Sequence, residues 1–126
     1  MKYSAILLLL LSSIAYGQQN YPLDVTLCWT NPTEYTDNSL IQDGDIASVR
    51  ITGARHDGTA LPDQSVVSDA PGLRQCATFT GVIPQPGTYS FFAYAITVDS
   101  ISSDASNQAD KKYTGKPKPI TVLTVN

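Results

Sequence analysis

The sequence predicts an all-β domain, a sandwich or barrel of short antiparallel strands, and three observations predict it. No stretch after residue 17 sustains a helical period. Short runs rich in Val, Ile, Thr, Phe and Tyr alternate instead with clusters of Gly, Pro, Asn and Asp. The clearest run, Asp24-Val25-Thr26-Leu27-Cys28-Trp29-Thr30, alternates at period two, with Val25, Leu27 and Trp29 on one side and Thr26, Cys28 and Thr30 on the other.

The first strand is predicted over 24–30, closed by Asn31-Pro32. A polar loop, 33–45, leads to a strand over 46–53, with Val49 and Ile51 inward and Ser48, Arg50 and Thr52 outward. Arg55-His56-Asp57-Gly58-Thr59 reads as a hairpin turn, because Asp-Gly supplies the positive φ that a tight turn needs. A weaker strand is expected over 64–68, broken by Ala70-Pro71-Gly72, then one over 75–80 in which Ala77 and Phe79 alternate with Cys76, Thr78 and Thr80. Ile83-Pro84-Gln85-Pro86-Gly87 reads as a rigid corner before the longest strand, 88–98. There Tyr89, Phe91, Ala93 and Ala95 share one face, and Phe92, Tyr94 and Ile96 share the other. The polar stretch 99–119 is long for a loop in a compact domain, and 106–113 is the part expected to pair. A last strand is predicted over 120–125.

At the N-terminus a single lysine, the apolar run 5–11 and small residues at Ala15 and Gly17 read as a signal peptide, residues 1–17, cleaved after Gly17. The run is about half of what a bilayer crossing needs, so no stable membrane insertion is expected after cleavage, and no cysteine follows it to carry a lipid. Cleavage leaves residues 18–126, a single domain of 126 − 17 = 109 residues in a secreted or periplasmic setting. Without Lys2 the chain carries 7 basic and 11 acidic residues, and no basic stripe suggests nucleic acid as a partner. Lys111, Lys112, Lys116 and Lys118 cluster as on a solvated loop. Two cysteines behind a signal peptide imply an oxidising compartment and one intramolecular bridge; they are too few for a tetrahedral zinc site and form no CxxC motif.

Val25-Thr26-Leu27, Trp29-Thr30, Pro32-Thr33 and then Thr36-Asp37 and Ser39 resemble the opening of a bacterial or phage-type fibronectin type III domain. Pro86-Gly87-Thr88-Tyr89-Ser90-Phe91 resembles that family's proline-glycine corner and the start of its F strand. Ala95-Ile96 through Asp104-Ala105-Ser106-Asn107 resembles the exit of that strand and the F–G loop. The resemblance implies an immunoglobulin-like sandwich of about six to seven strands, with strand B at 24–30, C at 46–53, C′ at 64–68, E at 75–80, F at 88–98 and G at 120–125. Trp29, Phe79, Phe91 and Tyr89 would then be core and fold residues, Tyr89 as the corner tyrosine whose hydroxyl bonds to upstream backbone. Only 18–23 precede strand B, so strand A is expected to be short or absent. With Trp29 and Phe79 inward, Cys28 and Cys76 face outward on neighbouring antiparallel strands. Their Cβ atoms would lie roughly 4.5–5.5 Å apart, within reach of a bridge in a close pair. That bridge is worth roughly 4 kcal/mol in the chain-entropy picture.

No catalytic constellation stands out. His56, the single histidine, lies in a turn, and no nucleophile-elbow motif is present, so the chain is not expected to be an enzyme and no cofactor is implied. Asp37, Asn38, Asp43 and Asp45 lack the EF-hand spacing and are expected to cap their own loop rather than hold a metal. The outer face of the longest strand is the suggestive surface. Phe92, Tyr94 and Ile96, flanked by Arg50, stand where a sandwich usually turns polar residues outward. Either the 99–119 segment covers them or they bind a protein partner, or a glycan by stacking. That pattern points to protein binding or adhesion at a cell or particle surface. The alternative is a structural protein of an envelope, appendage or virion that self-associates through sheet edges, with 120–125 as a donated strand.

Overall fold

Strong β-formers in alternation build six strands in the computed structural model, which describes residues 20–126. The signal-peptide reading and its cleavage after Gly17 lie outside the described residues. The strands are β1 (Leu23–Thr30), β2 (Ile46–Arg55), β3 (Gln64–Val67), β4 (Arg74–Ile83), β5 (Gly87–Thr97) and β6 (Ala109–Tyr113). All pairings are antiparallel. They form a two-stranded sheet, β1-β4, and a four-stranded sheet, β3-β2-β5-β6. No strand precedes β1 among the described residues, and β4 is its one partner there.

The two sheets close on each other through one core. Val25, Phe79 and Ile83 come from the smaller sheet, and Val49, Ile51, Tyr89, Phe91 and Tyr113 from the larger. Alternation carries each of them inward, and burying such side chains contributes roughly 1.5–3 kcal/mol apiece. Gly53 makes room for this packing: a Cβ there would lie 2.8 Å from the Phe91 ring. The Tyr89 ring is fully buried, and its hydroxyl donates to the Gln85 carbonyl at 2.8 Å, locking the corner that feeds β5. Trp29 does not sit in the centre of the core. It is half-buried at the margin, and its Nε1–H donates to Asn31 Oδ1 at 2.9 Å. Asn31, 2% exposed, in turn donates from Nδ2 to Gln75 Oε1 and to the Asp69 and Ala70 carbonyls, fastening the end of β1 to the loop before β4.

Cys28 stands directly opposite Cys76 and is bonded to it, with Cα atoms 4.0 Å apart. Both are exposed, on the face of the small sheet that points away from the core. Thr26 and Thr78, two residues along the same face, share a hydroxyl–hydroxyl bond of 2.8 Å.

The last strand is not where the sequence pattern placed it. Residues 120–125 form no strand, and Ile120, Val122, Leu123 and Val125 are between 75 and 96% exposed. The place of the last strand falls to β6, inside the stretch 106–113. Burial accompanies the shift: β6 carries Tyr113 into the core, whereas Ile120, Val122, Leu123 and Val125 are left exposed. β6 is highly charged, yet Tyr113 at its end packs edge-on against Tyr89, with ring centroids 5.8 Å apart, and closes the core. β4 also runs further than 75–80, taking Ile83 out of the expected corner and into the core.

Two stability measurements follow. Removing the bridge with Cys28→Ser/Cys76→Ser lowers the unfolding free energy by about 4 kcal/mol in urea titrations, the loop-entropy value; an unchanged midpoint would show that the bridge does not hold the small sheet. The Tyr113 hydroxyl is buried without a partner among the described residues, whereas the Tyr89 hydroxyl is bonded. Tyr113→Phe therefore leaves the midpoint unchanged or raises it, while Tyr89→Phe costs about 1 kcal/mol.

Candidate functional site

β5 pairs with β2 so that Tyr94 lies opposite Arg50, Phe92 opposite Thr52 and Ile96 opposite Ser48. Directly opposed residues share a face, so the structure brings Phe92, Tyr94, Ile96 and Arg50 together on the outer surface of the large sheet. The three apolar side chains are half-buried, and Arg50 is exposed with its guanidinium 5.2 Å from the Tyr94 ring centroid. Val67 of β3, opposite Ser48 and 80% exposed, extends the same surface, a contribution the weak 64–68 pattern did not flag.

The segment after β5 does not fold over this face. It runs beside the strand edge. Ser103 and Ser106 donate their N–H groups to the Ala95 and Ala93 carbonyls, and their hydroxyl oxygens accept from the N–H groups of the same two alanines, all at 2.9 Å. The serine side chains thus replace a neighbouring strand's carbonyls, and β5 is held on both edges while its outer face stays open.

A second feature lies on the flank. Between the free side of β1 and the edge of the large sheet runs a furrow that opens into three adjoining cavities of about 380, 180 and 250 Å3. Leu27 and Trp29 form one wall, Phe91, Ala93 and Ala95 the floor, and 102–109 the other wall. No β4 residue lines it.

His56 meets Ser90 and Asp110 on the surface at the other end of the large sheet. Ser90 Oγ donates to Asp110 Oδ1 at 2.7 Å and lies 3.3 Å from His56 Nε2; Gln108 Nε2 donates to both Ser90 and Asp110. The order is wrong for a nucleophile relay. There the histidine takes the serine proton and the carboxylate orients the histidine, whereas here the carboxylate takes the serine O–H itself. The Ser90 hydroxyl, then Gln108, holds the Asp110 carboxyl below its ordinary range.

In the loop after β1, Asp37 accepts from the Ser39 hydroxyl and N–H, which lower its pKa. Asp45 accepts from the Gln42 N–H and the Tyr35 hydroxyl. Partial burial and then this bond raise the Tyr35 pKa. Both carboxylates are occupied by the loop's own donors. Among the described residues no group of three or more His, Cys, Asp or Glu is arranged to hold a metal ion.

Ser90→Ala removes the main cause of the low Asp110 pKa, so the carboxyl should titrate closer to an ordinary aspartate when followed by carboxyl NMR. The sign follows from the depressed value. The contribution is present above the unfolded pKa and lost as pH falls through the folded one, so the variant should be less stable than the parent at neutral pH and the difference should vanish on acidification through the folded Asp110 pKa. No protein-family model and no curated protein matches the chain, so its role rests on the geometry of these surfaces.

Proposed function

We propose that this protein is a secreted, non-enzymatic binding module of the fibronectin type III kind that recognises a protein partner through the outer face of its four-stranded sheet. The observation that carries the reading is the in-register array of Phe92, Tyr94, Ile96 and Arg50, with Val67 beside it, on a face where polar residues are the norm. Aromatic residues and arginine are the side chains most enriched in protein-binding hot spots, and lysine is absent from this patch. β2 and β5, which present Arg50, Phe92, Tyr94 and Ile96, are hydrogen-bonded on both sides at these positions, so the partner would meet a surface already ordered.

The chemistry favours a protein over a glycan. Sugar stacking needs an open ring face, and the Arg50 guanidinium already lies over Tyr94. The family reading is supported by the Tyr89 hydroxyl bond to Gln85 and by the sheet order. In that family's naming, β1-β4 stands for B-E and β3-β2-β5-β6 for C′-C-F-G. The Cys28–Cys76 bridge supports an oxidising compartment, periplasmic or extracellular, and a place on a bacterial cell or phage particle agrees with the resemblance.

The test compares the chain from Gln18 with Phe92→Ala/Tyr94→Ala for binding to intact cells, protease-treated cells and a glycan array. Saturable binding that protease treatment of the cells removes, and that the double variant loses at least tenfold while its melting temperature falls by only a few degrees, supports the reading. Glycan-array binding would shift the ligand class. A variant that melts far earlier yet binds normally would show that these side chains are structural. Turnover of any substrate that is lost in His56→Ala would overturn the non-enzymatic part.

A further inference from the structure

The outer face of the large sheet leaves two other features unused: the bare side of β1 with its furrow, and the exposed residues 120–125. We infer that they belong together, residues 120–125 of one copy adding as a strand to β1 of a second copy and filling the furrow.

An edge strand turns every second N–H and C=O outward, and β1 has one partner, β4, among the described residues. Beside it, Leu27, Trp29, Phe91 and Ala93 line a trough of about 380 Å3, the place a further strand of the small sheet would cover. Residues 120–125, Ile-Thr-Val-Leu-Thr-Val, are the most strand-prone run outside the sheets, uncharged and long enough to cover most of the eight residues of β1. In extended form they put Ile120 and Val122 on one face and Leu123 and Val125 on the other, so either registration brings two apolar side chains to the trough. Charge agrees. All eleven acidic residues lie before residue 114, against five basic ones in 20–113, whereas 114–126 holds two lysines and no acid.

The donor is a second copy because the chain's own tail lies off β1, with residues 120–125 unpaired and Ile120, Val122, Leu123 and Val125 exposed, and because antiparallel pairing with its own β1 is out of its reach. The Tyr21 hydroxyl donates to the Thr114 carbonyl, which places the start of the tail at the Leu23 end of β1. For antiparallel pairing with its own β1, Ile120 must reach about the level of Cys28, roughly 17 Å up the strand at ~3.3 Å per residue. A two-residue reversal at Lys118-Pro119 leaves 114–117 to cover that distance, roughly 12 Å at ~3.1 Å per residue. A tail arriving from another molecule has no such limit. Each copy then both gives and takes a strand, closing as a dimer or continuing as a fibre.

The test uses the chain from Gln18, its Val122→Asp/Leu123→Asp variant and a synthetic 118–126 peptide. Sedimentation should show a mass that rises with concentration for the parent and a monomer for the variant, with equal melting temperatures at low concentration. Added to the isotope-labelled variant, the peptide should protect alternate β1 amides from exchange and shift Trp29, leaving Arg50 and Val67, which line no part of the furrow, unmoved. A parent that stays monomeric overturns the inference, whether its tail amides exchange freely or are protected within one chain. Association that survives Val122→Asp/Leu123→Asp, or peptide shifts at Arg50 and Val67 with Trp29 unmoved, overturns it as well. Arg50→Ala/Val67→Ser, on the partner-binding face and off the furrow, should leave self-association intact, so failure here and failure of the partner-binding face are separable.

Discussion

Two strands alone do not make a stable sheet in water, and among the described residues the small sheet consists of β1 and β4. What keeps β1 in place is a clamp on both of its faces. Inward, Val25 stands opposite Phe79 and both are buried. Outward, Cys28 is bonded to Cys76, and Thr26 is bonded to Thr78 one rung away. At one end the Asp24 carboxylate accepts from the Gly81 N–H, and at the other Asn31 gathers the loop before β4. Every one of these ties lies on the β4 side or across the sheet plane. The bridge therefore lets β1 dispense with a second neighbour, and the same economy leaves its far side open.

The large sheet solves its edge differently. β5 is flanked by β2 along most of its length, but β6 covers only its first half, from Gly87 to Phe91. Beyond that, Ser103 and Ser106 supply both donor and acceptor to Ala95 and Ala93. A run of serines can follow the strand without having to bury anything, which is why 102–108 can be polar and exposed and still satisfy the backbone beneath it. The aromatic outer face is then rigid without being covered.

Much of this was legible in local alternation. Val49 and Ile51 inward against Arg50 outward, Tyr89 and Phe91 inward against Phe92 and Tyr94 outward, and Cys28 matched to Cys76 all follow from period two and from the antiparallel neighbour that the resemblance supplied. The last strand was not legible, because the two candidates compete on different terms. Residues 120–125 have the stronger propensity, but 109–113 follow directly on the serine run and put Tyr113 against Tyr89, and that single buried ring outweighs the charges on Asp110, Lys111 and Lys112, which remain exposed. Propensity is worth a few tenths of a kcal/mol per residue, whereas a buried aromatic is worth several times that. The furrow was invisible for another reason. It is bounded by β1, β5 and the segment at 102–109, which are far apart in sequence, so no local pattern brings its walls together even where a short or absent first strand is expected.

An exposed apolar run and a strand edge unpaired among the described residues are liabilities in any protein, since both are templates for uncontrolled pairing. The sequence around 120–125 reads as a restraint on that hazard rather than a removal of it. Lys116 and Lys118 place charge immediately before the run, and Pro117 and Pro119 stop a growing ladder from extending back toward β6. Substituting one valine or leucine by a charged residue would have silenced the segment altogether at no cost to a core it does not touch. Gatekeepers that confine pairing to six residues, next to an edge of eight with an apolar trough beneath it, are what a limited strand exchange requires and what a merely solvated tail does not.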